Sequence, residues 1–195
     1  MSQTENTKQT IYTKQGLWSL FLMCAFPLHL WTLLLAFRDI SWVTERTNAW
    51  DAVGVVSYGL LFALFESILV FLVLTVTGLI LPWHWKANKR TGFLILLVMI
   101  LSIWGMIGQL LFLWNINLPG AVIHFLADTE HPLRWLYAIA LAIVIPTVAE
   151  PVCIFIRSNQ ALARIENITD QLSLLAALYL FFDLAGIIIV VIRNL

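Results

Sequence analysis

The chain has 195 residues, 61% of them apolar and 11% charged, with eleven basic and eleven acidic side chains and a mean hydropathy of +0.91. An ordinary soluble domain is about 45–50% apolar and about 25% charged, so this is the composition of a polytopic membrane protein. It excludes a water-soluble enzyme and a disulfide-stapled secreted module. The zero net charge offers no attraction to a polyanion, so nucleic acid is excluded as a partner.

A hydrocarbon core of about 30 Å needs roughly 20 apolar residues of helix. Five stretches meet that length: 17–37, 53–81, 92–114, 133–156 and 172–192. The expected fold is an all-α polytopic transmembrane bundle of five spans, N-in and C-out, with short interfacial segments and a single membrane domain over 1–195. The first span follows a polar head, and its apolar run exceeds the roughly 7–15 residues of a signal-peptide core with no small-x-small site after it. It reads as an uncleaved signal anchor. Ile40 to Trp50 mixes Ile, Val and Trp with charges, which predicts a segment lying along the outer interface. The second span, roughly 44 Å long at about 1.5 Å per residue, must tilt or project. Leu118-Pro119-Gly120 ends the third span, and Ala121 to Ala127 reads as a short apolar surface helix. Asn167-Ile168-Thr169 reads as a lead-in to the N-cap of the last helix.

Lysine and arginine set the orientation. With the N-terminus inside, Lys8, Lys14, Lys86, Lys89, Arg90, Arg157 and Arg164 are cytoplasmic, against Arg38, Arg46, Arg134 and Arg193 outside. Among the nine tryptophans, Trp18, Trp42, Trp50, Trp83, Trp85, Trp114 and Trp135 fall near span ends, as an anchoring belt requires, while Trp31 and Trp104 lie within spans. The expected location is a plasma or inner membrane, multi-pass, with the N-terminus cytoplasmic.

Three carboxylates interrupt the uncharged spans: Glu66, Glu150 and Asp183. An acid at the centre of a membrane helix costs roughly 2.5–3.5 kcal/mol on insertion scales, so each needs compensation. Each shares a helix face with small residues: Glu66 with Gly59 and Ala63, Asp183 with Ala176, Tyr179 and Gly186, Glu150 with Ala142 and Cys153. All three are therefore expected to point into the bundle. His29 shares a face with Ala25, Thr32 and Ala36, and Gln109 one with Ser102 and Gly105. Glu66, Asp183 and His29 lie near one depth, which predicts a midplane proton- or cation-binding cluster, with Glu150 lower and Gln109 auxiliary. Pro146 and Pro151 bracket Glu150 and predict a helix break that frees carbonyls in a medium without water.

Other chemistry is not indicated. Cys24 and Cys153 lack C-x-x-C spacing and read as packed thiols, and no H-x-x-x-H or H-E-x-x-H motif offers metal or haem ligands. No nucleophile motif, phosphate loop, metal site or cofactor is expected. The helix count resembles that of the tryptophan-rich sensory proteins, and the span plan that of the membrane part of lipid-headgroup transferases. Neither likeness rests on a motif, so neither assigns a family. The leading expectation is a transporter or channel subunit linked to a proton or cation, with the lipid bilayer as its medium and a second copy or a separately encoded protein as partner. The alternatives are a non-catalytic scaffold or anchor subunit for a protein or lipid partner, and an intramembrane lipid-modifying enzyme.

Overall fold

The computed structural model describes residues 10–113 and 118–195; Lys8 of the charge count and Trp114 of the third span lie outside them. The chain is an all-α helical bundle, and five of its helices are long and apolar enough to cross a membrane. In chain order they are α1 (Lys14–Arg46), α2 (Ala49–Ile80), α3 (Ala87–Leu113), the short α4 (Gly120–Ala127), α5 (Pro132–Arg157) and α6 (Asn159–Asn194).

The helix starts follow from local chemistry. Thr13 caps α1 by accepting from the Gly16 amide at 2.9 Å. Asn48 caps α2 by accepting from the Asp51 amide at 2.8 Å, and its own amide group donates to the Asp51 carboxylate. Such caps satisfy donors that the first turn leaves without carbonyl partners.

Two long helices exceed the expected spans. The stretch expected to lie along the interface after residue 40 instead continues α1 to Arg46. Neither Pro nor Gly interrupts it, and Arg46 sits over the Trp42 ring at 4.2 Å, four residues back on the same face. The lead-in expected at Asn167 to Thr169 is also helical, and Thr169 is buried within α6. Leu162, Ile165, Thr169 and Leu172 recur at helical spacing. Leu162 covers Gly92, while Ile165 and Leu172 pack against the core. With 36 residues, α6 is roughly 54 Å long at about 1.5 Å per residue, far beyond the hydrocarbon thickness. The short helix expected at Ala121 to Ala127 is present as α4.

The core gathers Leu20, Leu22, Met23 and Cys24 of α1, Leu74 of α2, Leu94, Ile95 and Val98 of α3, and Ala176 of α6. α1 and α2 form an antiparallel hairpin, in which Gly59 faces Thr32 and Gly78 faces Tyr12. α6 runs parallel to α1 and closes on both, with Gly186 against the Ser57 backbone. Small residues let these backbones approach where apolar burial alone gives no drive between helices in lipid.

Two polar clasps secure the ends of this wedge. At one end Tyr12 donates to the Thr75 carbonyl at 2.8 Å, and buried Arg90 donates to the carbonyls of Ile11 and Pro82 at 3.0 and 3.1 Å. Burial pushes the Tyr12 phenol above its usual range, with the Arg90 charge pulling weakly the other way. At the other end Arg193 of α6 pairs with Asp51 at 2.7 Å and donates to the Trp50 carbonyl. A side chain at Gly54 would overlap that guanidinium.

α5 is different. Phe155 is its only buried residue, and the helix runs unbroken through Pro146 and Pro151. The expected break is thus absent. Beside Pro146, the Thr147 hydroxyl lies 3.0 and 2.9 Å from the Ile143 and Val144 carbonyls and accepts from the Trp104 indole at 3.0 Å. These bonds tie α5 to α3, but they do not reach the Ala142 and Thr147 carbonyls that Pro146 and Pro151 leave without a helix donor. Cys24 is a packed thiol as expected, whereas Cys153 is exposed on α5.

Candidate functional site

His29 of α1 and Asp183 of α6 meet inside the wedge. The imidazole Nε2 lies 3.0 and 2.9 Å from the two carboxylate oxygens of Asp183, and both side chains are almost wholly buried, at 0% and 3% exposure. The small-residue faces drawn from the sequence place them there, since Ala25, Ala176 and Gly186 are buried on the same faces. Tyr179, one turn before Asp183, lies parallel to the imidazole at 6.0 Å between centroids, and Phe26 lies against Tyr179 at 6.1 Å. Stacked rings thus lie against the imidazole of the pair.

The hydrogen bonds fix the proton count. His29 Nδ1 lies 2.8 Å from the Ala25 carbonyl, which can only accept, so Nδ1 carries a proton. One further proton then lies between Nε2 and Asp183. It sits on the imidazole, giving an ion pair, or on the carboxyl, giving a neutral pair. Either way the dry site has zero net charge. Adding or removing one proton would leave a single charge without a counterion, at a cost of several kcal/mol after relaxation.

The other acids do not join this pair. Glu66 is half-buried, with no hydrogen bond or ion pair to a described residue. The buried stripe of α2 runs through Leu60, Ala63, Ser67 and Leu74, and Glu66 lies about 100° around the helix from Ser67. Ala63 is on that stripe and Gly59 meets Thr32, but Glu66, three residues after Ala63, sits at the edge of the contact face. Glu150 of α5 and Gln109 of α3 are exposed, and Gln109 lines an open cavity of about 470 Å³ that Leu35 of α1 also reaches. The expectation that all three acids point into the bundle holds for Asp183 alone. Among the described residues, no group of three or more His, Cys, Asp or Glu side chains is placed to hold a metal ion.

An apolar cavity of about 330 Å³ opens between α1, α2 and α6 beside the pair. Leu33 and Gly186, one turn beyond His29 and Asp183 respectively, are in its wall. The clasps at Arg90 and Arg193 were not foreseen from the sequence. The Asn48 to Asp51 spacing and the terminal arginine were visible, but their partners lie 79 and 142 residues away.

No family model matches the chain, and neither a curated protein nor a solved structure matches it.

Proposed function

We propose that the protein is a subunit of a proton-linked membrane transport assembly, with the His29–Asp183 pair as its proton-binding element. The observation that carries the reading is the buried imidazole–carboxylate contact at 2.9 Å, with the other ring nitrogen 2.8 Å from the Ala25 carbonyl. A second proton would leave an imidazolium beside a neutral acid, a buried charge without a counterion that weakens the contact joining α1 to α6. Protonation would thus be linked to separation of these helices, and the adjoining apolar cavity gives them room to move. The lysine and arginine bias supports an N-in, C-out orientation in a plasma or inner membrane. Glu66, Glu150 and Gln109 serve in this reading as polar groups toward an assembly partner and not as members of the pair.

The test is acid-driven proton flux in proteoliposomes holding the full chain. His29→Gln and Asp183→Asn are expected to lower flux at least tenfold, while Glu66→Gln stays within about twofold. Unchanged flux in both pair variants, with the helical fold retained, would remove the reading.

A second reading, a non-catalytic scaffold, is favoured by the outer faces of α3 and α5. A side-chain carbon added at Gly105 or Gly108 would meet no described neighbour within 4 Å, and Gln109 and Glu150 lie exposed on those helices. Leaving Glu150 against lipid would cost roughly 2.5–3.5 kcal/mol, so a second copy or another membrane protein covers it in this reading. Absence of flux in the wild-type chain, with Asp183→Asn altering stability alone, would select the scaffold.

A further inference from the structure

At the end of the wedge that carries the Tyr12–Arg90 clasp, a second cavity of about 280 Å³ lies between the starts of α1 and α3 and the first third of α6. Its wall includes Ser19, Asn88, Thr91, Glu166, Thr169 and Asp170. Two carboxylates face it, and no lysine, arginine or histidine is among the described residues that line it. Of the basic side chains nearby, Lys89 donates to the Ile156 carbonyl and Arg90 to those of Ile11 and Pro82, while Lys14 and Arg164 adjoin lining residues in the sequence.

An independent observation concerns the hydroxyls. Ser57, Ser67, Thr75, Thr77, Thr147 and Ser173 each donate to the carbonyl four residues earlier in their own helix. This is the usual resolution for a hydroxyl in a membrane helix. Thr91 and Thr169, 5% and 4% exposed, depart from it. Among the described residues neither Oγ1 has a hydrogen-bond partner, and both residues line the cavity from opposite helices. A buried hydroxyl without a partner is a cost that a native structure retains for a reason.

We propose that this cavity binds a primary ammonium group. An ammonium carries three N–H donors and no acceptor, which suits ionised Glu166 and Asp170 together with the lone pairs of Thr91 and Thr169. A bare metal ion would leave most of the volume empty, since a water molecule takes about 30 Å³ of liquid. A short organic chain against Ile95 and Ile165 fills it. The first turns of α1 and α3 also reach the wall through Gln15, Gly16 and Asn88. The first-turn amides there, other than that of Gly16, which donates to Thr13, suit the phosphate adjoining the ammonium in an ethanolamine headgroup. The same ammonium chemistry comes from a phosphatidylethanolamine headgroup or from a free small amine. The site is separate from the His29–Asp183 pair and does not depend on its role.

The full chain in nanodiscs of phosphatidylcholine, with phosphatidylethanolamine added, tests this by native mass spectrometry of retained lipid, alongside titration with free ethanolamine. The wild type is expected to retain phosphatidylethanolamine at least tenfold over phosphatidylcholine, whose quaternary ammonium has no N–H. Glu166→Gln combined with Asp170→Asn, both exposed positions, should remove that preference, and Thr169→Val should lower it several-fold. Displacement of the lipid by ethanolamine identifies a free amine as an alternative occupant of the same site. Binding of ethanolamine alone assigns the site to free amines. Equal retention of the two lipids with no ethanolamine binding, or a preference unchanged in the acidic double variant, overturns the proposal.

Discussion

The wedge of α1, α2 and α6, joined by the first half of α3, and the arm made by the second half of α3 and α5 satisfy the same bilayer in different ways. In the wedge, α1 buries seven residues from Leu20 to His29, and small residues bring backbones close enough for an imidazole and a carboxylate to meet without water. In the arm, α5 buries only Phe155, and the Trp104–Thr147 bond joins it to the outer part of α3. Similar hydropathy therefore produces a tightly packed unit in one region and an uncovered surface in the other. Burial between helices, and not hydrophobicity along them, separates the region that fixes geometry from the region available to partners.

The largest expected effect tests the packed side of that contrast. Asp183→Leu should destabilise the fold by about 3–5 kcal/mol, because it leaves His29 buried without its partner. Combining it with His29→Leu should recover much of the loss, as read by denaturant titration in detergent. Next, Gly78→Ala places a carbon onto the Tyr12 hydroxyl and against Leu94, for an expected loss of about 1–3 kcal/mol. Tyr12→Phe in the same chain should return part of it by removing the clashing oxygen.

Tyr12 also gives a pH dependence. Burial raises its phenol above the ordinary value of 10.0, so folding favours the neutral form that donates to Thr75. That contribution is fully present below pH 10.0 and is lost as pH rises through the raised value. Thermal melts should fall more steeply above that pH in the wild type than in Tyr12→Phe. The smallest effect belongs to the arm. Glu150→Leu should alter the stability of the isolated chain by no more than about 0.5 kcal/mol while shifting its association state, read by sedimentation in detergent. A loss above about 2 kcal/mol in the monomer would show that α5 is packed as firmly as α1, and the contrast would fail.

Much of this was legible in the sequence. Apolar run length located all five crossing helices, and the small-residue faces around His29 and Asp183 located their meeting. Glu66 was misplaced because Gly59 and Ala63 define a face only to within one residue, and one residue turns a helix by about 100°. Hydrophobicity alone ended α1 and started α6 too near the apolar run, although backbone helix continues where caps and intermittent apolar contacts support it, as at Leu162 and Ile165. The break expected at Pro146 and Pro151 is absent, since α5 is helical through both prolines. The Thr91 and Thr169 hydroxyls gave no sequence signal, since only coordinates reveal which carbonyls they leave unbonded.

The proton assignment at the pair is most directly tested by nitrogen-15 NMR of histidine-labelled protein in bilayers, with the His29 signals assigned by their loss in His29→Gln. Nδ1 is expected to stay protonated toward the Ala25 carbonyl while the Nε2 signal moves with pH across the range in which flux changes. An unprotonated Nδ1, or an Nε2 signal that stays fixed while flux responds to pH, would contradict it.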